Sequence, residues 1–124
     1  MDKKLNTNYT FEFYDGTQTE LTLTFYSLYH LKEKNKAMYE RYHKIMGDNS
    51  KGRYDELEMI SILYTAYICA HINDEEVMTE EEFMIMCGSD RIAVANAVKA
   101  LTQPKKQKAS GSPSYNGQGA GNRR

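Results

Sequence analysis

Cysteine is scarce in this chain. Cys69 and Cys87 are the only two, too few for a disulfide framework, and Cys69 lies in the most apolar stretch. A long hydrophobic run is missing as well. The richest one, Leu57 to Ile72 (LEMISILYTAYICAHI), covers about 16 residues and ends at His71 and Asn73, short of the roughly 20 that a bilayer crossing needs. The opening MDKKLNTNYT has no apolar segment of the signal-peptide type. Together these absences predict a soluble, intracellular protein with reduced thiols and no membrane partner.

Groups that carry catalytic or metal chemistry are not assembled either. Cys69-x-His71 with Cys87 lacks a fourth zinc ligand, and residues two apart on a helix diverge by about 200°. His30 and His43 are expected on one helix about 20 Å apart along its axis, too far to share a metal. The acidic stretch from Asp74-Glu75-Glu76 to Glu81-Glu82-Phe83 has a surface likeness to the end of a calcium loop. Counting back to where the first ligand belongs gives His71 or Ala70, neither an oxygen ligand, and the middle has no glycine. Gly117, Gly119 and Gly121 neither follow a strand nor open a helix, so they make no phosphate loop. The expectation is a binding protein: no enzyme, no cofactor and no metal.

Charge divides the chain in two. From Gln103 onward it reads QPKKQKASGSPSYNGQGAGNRR, with Lys105, Lys106, Lys108, Arg123 and Arg124 and no acid, a charge of +5. Residues 1–102 hold the other 11 basic residues and all 17 acidic ones, a charge of −6. Low hydrophobicity and Gly, Ser, Pro and Lys predict a disordered basic tail over 102–124 and a folded helical domain over 8–101. An acidic body argues against a nucleic-acid-binding domain.

The fold class that emerges is mainly α, a small helical bundle around a buried central helix with an N-terminal β-hairpin. Tyr9 to Tyr14 alternates with Phe11 and Phe13 on one face, Asp15-Gly16-Thr17 turns, and Leu21, Leu23 and Phe25 alternate again. Ser27 is the expected cap of one long helix to about Met46, with Leu28, Leu31, Asn35, Met38, Tyr42 and Ile45 as its apolar stripe. That stripe can be covered within one chain or between two copies, so a homo-oligomer stays open. A loop over 47–52 follows. Asp55 caps the central helix, which is apolar nearly all round and must be buried all round. Thr79 and Glu82 form a capping box for a short helix ended by Gly88. Asp90 or Ser89 caps the last helix, with Ile92, Val94, Ala95, Val98 and Leu101 inward.

Ten tyrosines and seven methionines are the unusual inventory. Tyr29, Tyr39, Tyr42, Tyr54, Tyr64 and Tyr67 are spread around two helices, so not all of them can be core. Tyrosine suits binding surfaces, and methionine adapts to a partner helix. The candidate partner-binding residues are Tyr29, Tyr39, Met78, Met84 and Met86.

The order of a YDGT hairpin, LTLTFYSLYHLKEKNKAMYERYHKIM, EMISILYTAYICAHI, MTEEEFMIM and a Lys-rich end resembles the tail assembly chaperones of long-tailed phages and prophages of Gram-positive bacteria. The resemblance covers about residues 8–106 and implies a function. Such chaperones bind the tape-measure protein, a very long helical chain, keep it soluble, and help tail-tube subunits assemble on it. They act in the cytoplasm of the bacterial host and are absent from the mature virion. Many are made in a short form and in a long form that arises by programmed −1 frameshift and recruits the major tail (tube) protein. Two other classes are weighed beside this: a structural tail or connector component, and a small regulatory protein that binds nucleic acid through its basic tail. Pro104-Lys105-Lys106 can be encoded CCA AAA AAG, a slippery run. Sequencing the gene tests this: a slippery run, an overlapping −1 frame and a very long helical reading frame downstream are expected. Codons that prevent slippage there would remove the long form from the reading.

Overall fold

Residues 8–48 and 52–103 are described by a computed structural model; Thr102, the first residue of the predicted 102–124 tail, is helical, and residues 104–124 of that tail lie outside the described residues. Two strands, β1 (Tyr9–Glu12) and β2 (Gln18–Leu21), precede five helices: α1 (Phe25–Lys34), α2 (Lys36–Asp48), α3 (Glu56–Ala70), α4 (Glu80–Cys87) and α5 (Arg91–Thr102). The architecture is the expected mainly helical bundle with an N-terminal hairpin. Among the described residues, no helix is long and apolar enough to cross a membrane.

α3 is the centre. Every residue from Ile62 to Tyr67 is buried, so no side of the helix faces water there. It achieves this by packing against β2, α1, α2, α4 and α5. Its start is fixed by a capping box: Glu58 N–H donates to Asp55 (2.7 Å), and Asp55 N–H donates to Glu58 (2.9 Å).

The antiparallel hairpin pairs Tyr9 with Leu21 and Phe11 with Thr19. Gly16 adopts φ +90° at the turn, and Asp15 accepts from the Thr17 hydroxyl (2.7 Å) and N–H (3.0 Å). Those two bonds hold the Asp15 carboxyl below its usual pKa. Phe11, Phe13 and Leu21 enter the core as the alternation predicts. The hairpin is tied to α3 because Thr22 N–H donates to the Ala66 carbonyl (3.2 Å).

Several expectations are corrected. Phe25 does not continue the strand face of Leu21 and Leu23. The strand ends at Leu21, and Thr24, not Ser27, caps α1 by accepting from Ser27 N–H (3.0 Å). Phe25 becomes the first helical residue and is 93% exposed. The single helix to Met46 is two helices, broken at Asn35. Its N–H closes α1 on the Leu31 carbonyl (2.6 Å), while its side chain accepts from Met38 N–H (3.2 Å) to open α2. α2 then runs through Gly47 and Asp48, which the loop over 47–52 had claimed. In α5, Val94, Ala97 and Val98 face inward, but Ile92 (74%) and Ala95 are exposed.

An aromatic cluster joins hairpin, α3 and α4. Phe83 has no exposed surface and lies 5.7 Å from Phe13, 5.6 Å from Tyr64 and 5.3 Å from Tyr67, centroid to centroid. Tyr64 OH donates to the Met78 carbonyl (2.7 Å), and Met78 N–H donates to Tyr67 OH (2.9 Å). Both buried hydroxyls are thus satisfied by one peptide segment, which sets where α4 begins. At the other end of α4, Tyr14 N–H donates to the Met86 carbonyl (2.9 Å). Gly88 has φ +69°, and a Cβ there would meet Tyr14 Cβ at 3.0 Å. Phe83→Ala should cost about 3–5 kcal/mol in denaturant unfolding, and Ile92→Ala less than about 0.5 kcal/mol. Equal losses at the two positions would contradict this packing.

Candidate functional site

The reactive side chains are committed to structure. His71 ends α3 and bridges two elements: Nδ1 lies 2.9 Å from Asp74 and Nε2 3.1 Å from the Thr19 hydroxyl. Cys69 and Cys87 are free and buried. Burial pushes their thiols up to about 11 and about 12, so both stay protonated and weakly nucleophilic at neutral pH. Among the described residues, no three His, Cys, Asp or Glu converge as a metal site. His30 and His43 sit on separate helices, His30 edge-on to Tyr26 (4.5 Å) and His43 stacked on Tyr39 (5.8 Å).

What the surface offers instead is apolar. A cleft of about 150 Å³ opens where the N-termini of α3 and α5 meet the C-terminus of α4. Leu57, Met59, Ile60, Met84 and Val94 line it. Leu57 is 66% exposed and Met84 38%. The first turn of α3 therefore departs from the all-round burial read from sequence, because it forms one wall of this cleft. Glu56 and Arg91 clamp the rim through two contacts, one of them Nη2 to Oε1 at 3.2 Å. The second apolar surface is on α1. Phe25, Tyr26 and Tyr29 are exposed there, on the side opposite the buried Leu31.

The five candidate residues are dispersed. Tyr29 belongs to the α1 surface, and Met84 lines the cleft. Tyr39 is half-buried on α2 with Lys32 Nζ 5.4 Å over its ring. Met78 and Met86 are half-buried against the core. Tyr64 and Tyr67 are core, and Tyr42 and Tyr54 pack partly buried on it. Burial lifts the Tyr42 hydroxyl to about 12. Sequence reasoning missed Phe25, Tyr26, Leu57 and Ile92 as surface groups. The signal for the first two was Thr24: taken as the cap, it makes Phe25 the first helical residue and puts Tyr26 opposite the Leu28–Leu31 stripe at 100° per residue.

No family model, curated protein or solved structure matches the chain. The Arg91 hydrogen bond and charge hold the Glu56 carboxyl below its ordinary pKa. In an NMR pH titration, Arg91→Ala should therefore raise the Glu56 midpoint toward the usual carboxylate range. A midpoint unmoved by the substitution would mean that the rim clamp does not form.

Proposed function

We propose that this chain is a tail assembly chaperone of a long-tailed phage or prophage, which binds the tape-measure protein, keeps it soluble and assists tail-tube assembly. The observation that carries the reading is the apolar cleft on an acidic helical body, with Leu57 and Met84 exposed along it. It joins the sequence resemblance to a surface with a physical use. A groove of this kind takes the apolar face of an amphipathic helix, and a tape-measure protein is one long series of such faces. Met59 and Met84 are unbranched and adjust to successive client sequences without a fixed register. Many copies on one client gain from multivalency, so each contact can be weak and reversible. The acidic body around the cleft, with Asp90 on its lining and Asp55 and Glu58 flanking its Glu56 in the sequence, favours encounter with basic client stretches. A frameshifted long form would bring the major tail protein to the same complex. The work is done in the host cytoplasm, and the chaperone leaves before the virion is complete.

Burial of one Leu or Met side chain is worth about 1.5–3 kcal/mol, or about tenfold or more in affinity. Leu57→Asp and Met84→Gln should each weaken capture of the tape-measure protein by about that factor, with the thermal midpoint unchanged. Asp suits the first turn of a helix, so the Leu57 change leaves α3 intact. A parent chain that fails to capture the tape-measure protein, or variants that capture it as well as the parent, would contradict the reading.

A further inference from the structure

The cleft does not end at Val94. Met59 lines it and also lines a second cavity of about 400 Å³, between Gly52, Arg53 and Tyr54 and the C-terminal half of α5. α5 runs along both cavities. Arg91, Ala95 and Lys99 form one row at four-residue steps, and Val94, Val98 and Thr102 form the next. Arg91 and Thr102 lie about 16 Å apart along the axis, or three turns, so the two cavities together make a groove as long as a short helix.

The far end of the groove differs from the cleft in charge. Lys36, Arg41, Lys44 and Arg91 each pair with a carboxylate, Lys32 lies over the Tyr39 ring and Lys34 donates to Asn73. Arg53 and Lys99 are the remaining cations of the described residues. Among those residues, neither side chain has an ion pair or a hydrogen bond. Both line the second cavity, and no carboxylate lines it with them. Gln103 adds an amide there, set so close to Gly52 that a Cβ on the glycine would meet its nitrogen at 3.1 Å. We propose that Arg53 and Lys99 take an acidic side chain of the client helix, two turns away from the apolar residue seated in the cleft. This rests on the client-binding reading of the cleft and adds a selection rule to it.

The spacing comes from α5. Arg91 at the cleft and Lys99 at the far cavity are about 12 Å apart along the axis, close to the rise of two turns of a helix laid beside it. A carboxylate satisfies both cations at once, and the guanidinium can hold it through two parallel bonds. The groove then ranks client segments that the adaptable methionines would take alike. The Lys-rich end of this chain has the wrong charge for the cavity. A nucleic acid fits less well than a carboxylate, because the C-terminal carbonyls of α5 lie there and the body around is acidic.

The test uses the full chain and helical peptides with a central leucine and one variable site two turns away. The site lies on the N-terminal side in one set and on the C-terminal side in the other. By fluorescence anisotropy, in one of the two sets Glu should bind about tenfold tighter than Lys, with Gln between them and the gap closing as salt rises. Arg53→Gln/Lys99→Gln should erase that preference and leave the thermal midpoint unchanged. Met84→Gln should weaken every peptide alike and preserve the preference. Equal affinities that still fall with Met84→Gln would overturn this inference and leave the cleft reading standing. Binding of no peptide by a chain that still captures the tape-measure protein would do the same, whereas capture of neither would overturn both. A Glu preference that survives the glutamine changes would also overturn the inference. So would tighter binding of oligothymidylate, or a dimer of the parent chain that those changes dissolve.

Discussion

Everything in this fold follows from the need to bury one helix on every side. From Ile62 to Tyr67, α3 has no polar face to leave in water, so the remaining elements must enclose it. Each encloser is too weak to stand alone. A two-stranded hairpin is marginal in water, and α2 has no fully buried residue of its own. Their stability is borrowed from the shared centre, and the Thr22–Ala66 backbone bond marks where the hairpin fastens to it.

The second organising element is the pair of tyrosine hydroxyls on the Met78 peptide. A buried phenol needs a partner, and here both find it in the segment that leads into α4. That fixes α4 beside the first half of α3 and lets Phe83 fill the space between Phe13, Tyr64 and Tyr67. Gly88 then turns the chain sharply against Tyr14 and starts α5 across the N-terminus of α3. The cleft is the gap left at that junction. Its walls are apolar because they are the ends of core-forming stripes, extended beyond the elements that would cover them.

This origin explains what could be read in advance. The hairpin phase of Phe11 and Phe13, the buried Cys69, the Asp55 cap and the capping box at Thr79 are local patterns with local causes, and the sequence displays them directly. Asn35 was misread because it falls in register with Leu31 and Met38 while its side chain competes for a backbone N–H; periodicity alone does not expose that contest. Phe25 was misread because strand alternation runs on past the true end of the strand, and the Thr24 cap overrides it. The cleft was illegible for a different reason. Leu57, Met84 and Val94 come from three helices, and nothing in their spacing tells that they meet. For the helical tyrosines, phase decides: of the two candidates Tyr29 points away from the core and Tyr39 is half-buried, while Tyr64 and Tyr67 point into the core.

The proposed function rests on the apolar cleft where α3, α4 and α5 meet. The claim most exposed to test is that a helical client lies in the cleft. Hydrogen exchange measured by mass spectrometry, on the full chain with and without the tape-measure protein, addresses it directly. The account predicts slowed exchange at the first turns of α3 and from Met84 to Val94. Slowing confined to the hairpin, or no change on mixing, would contradict it.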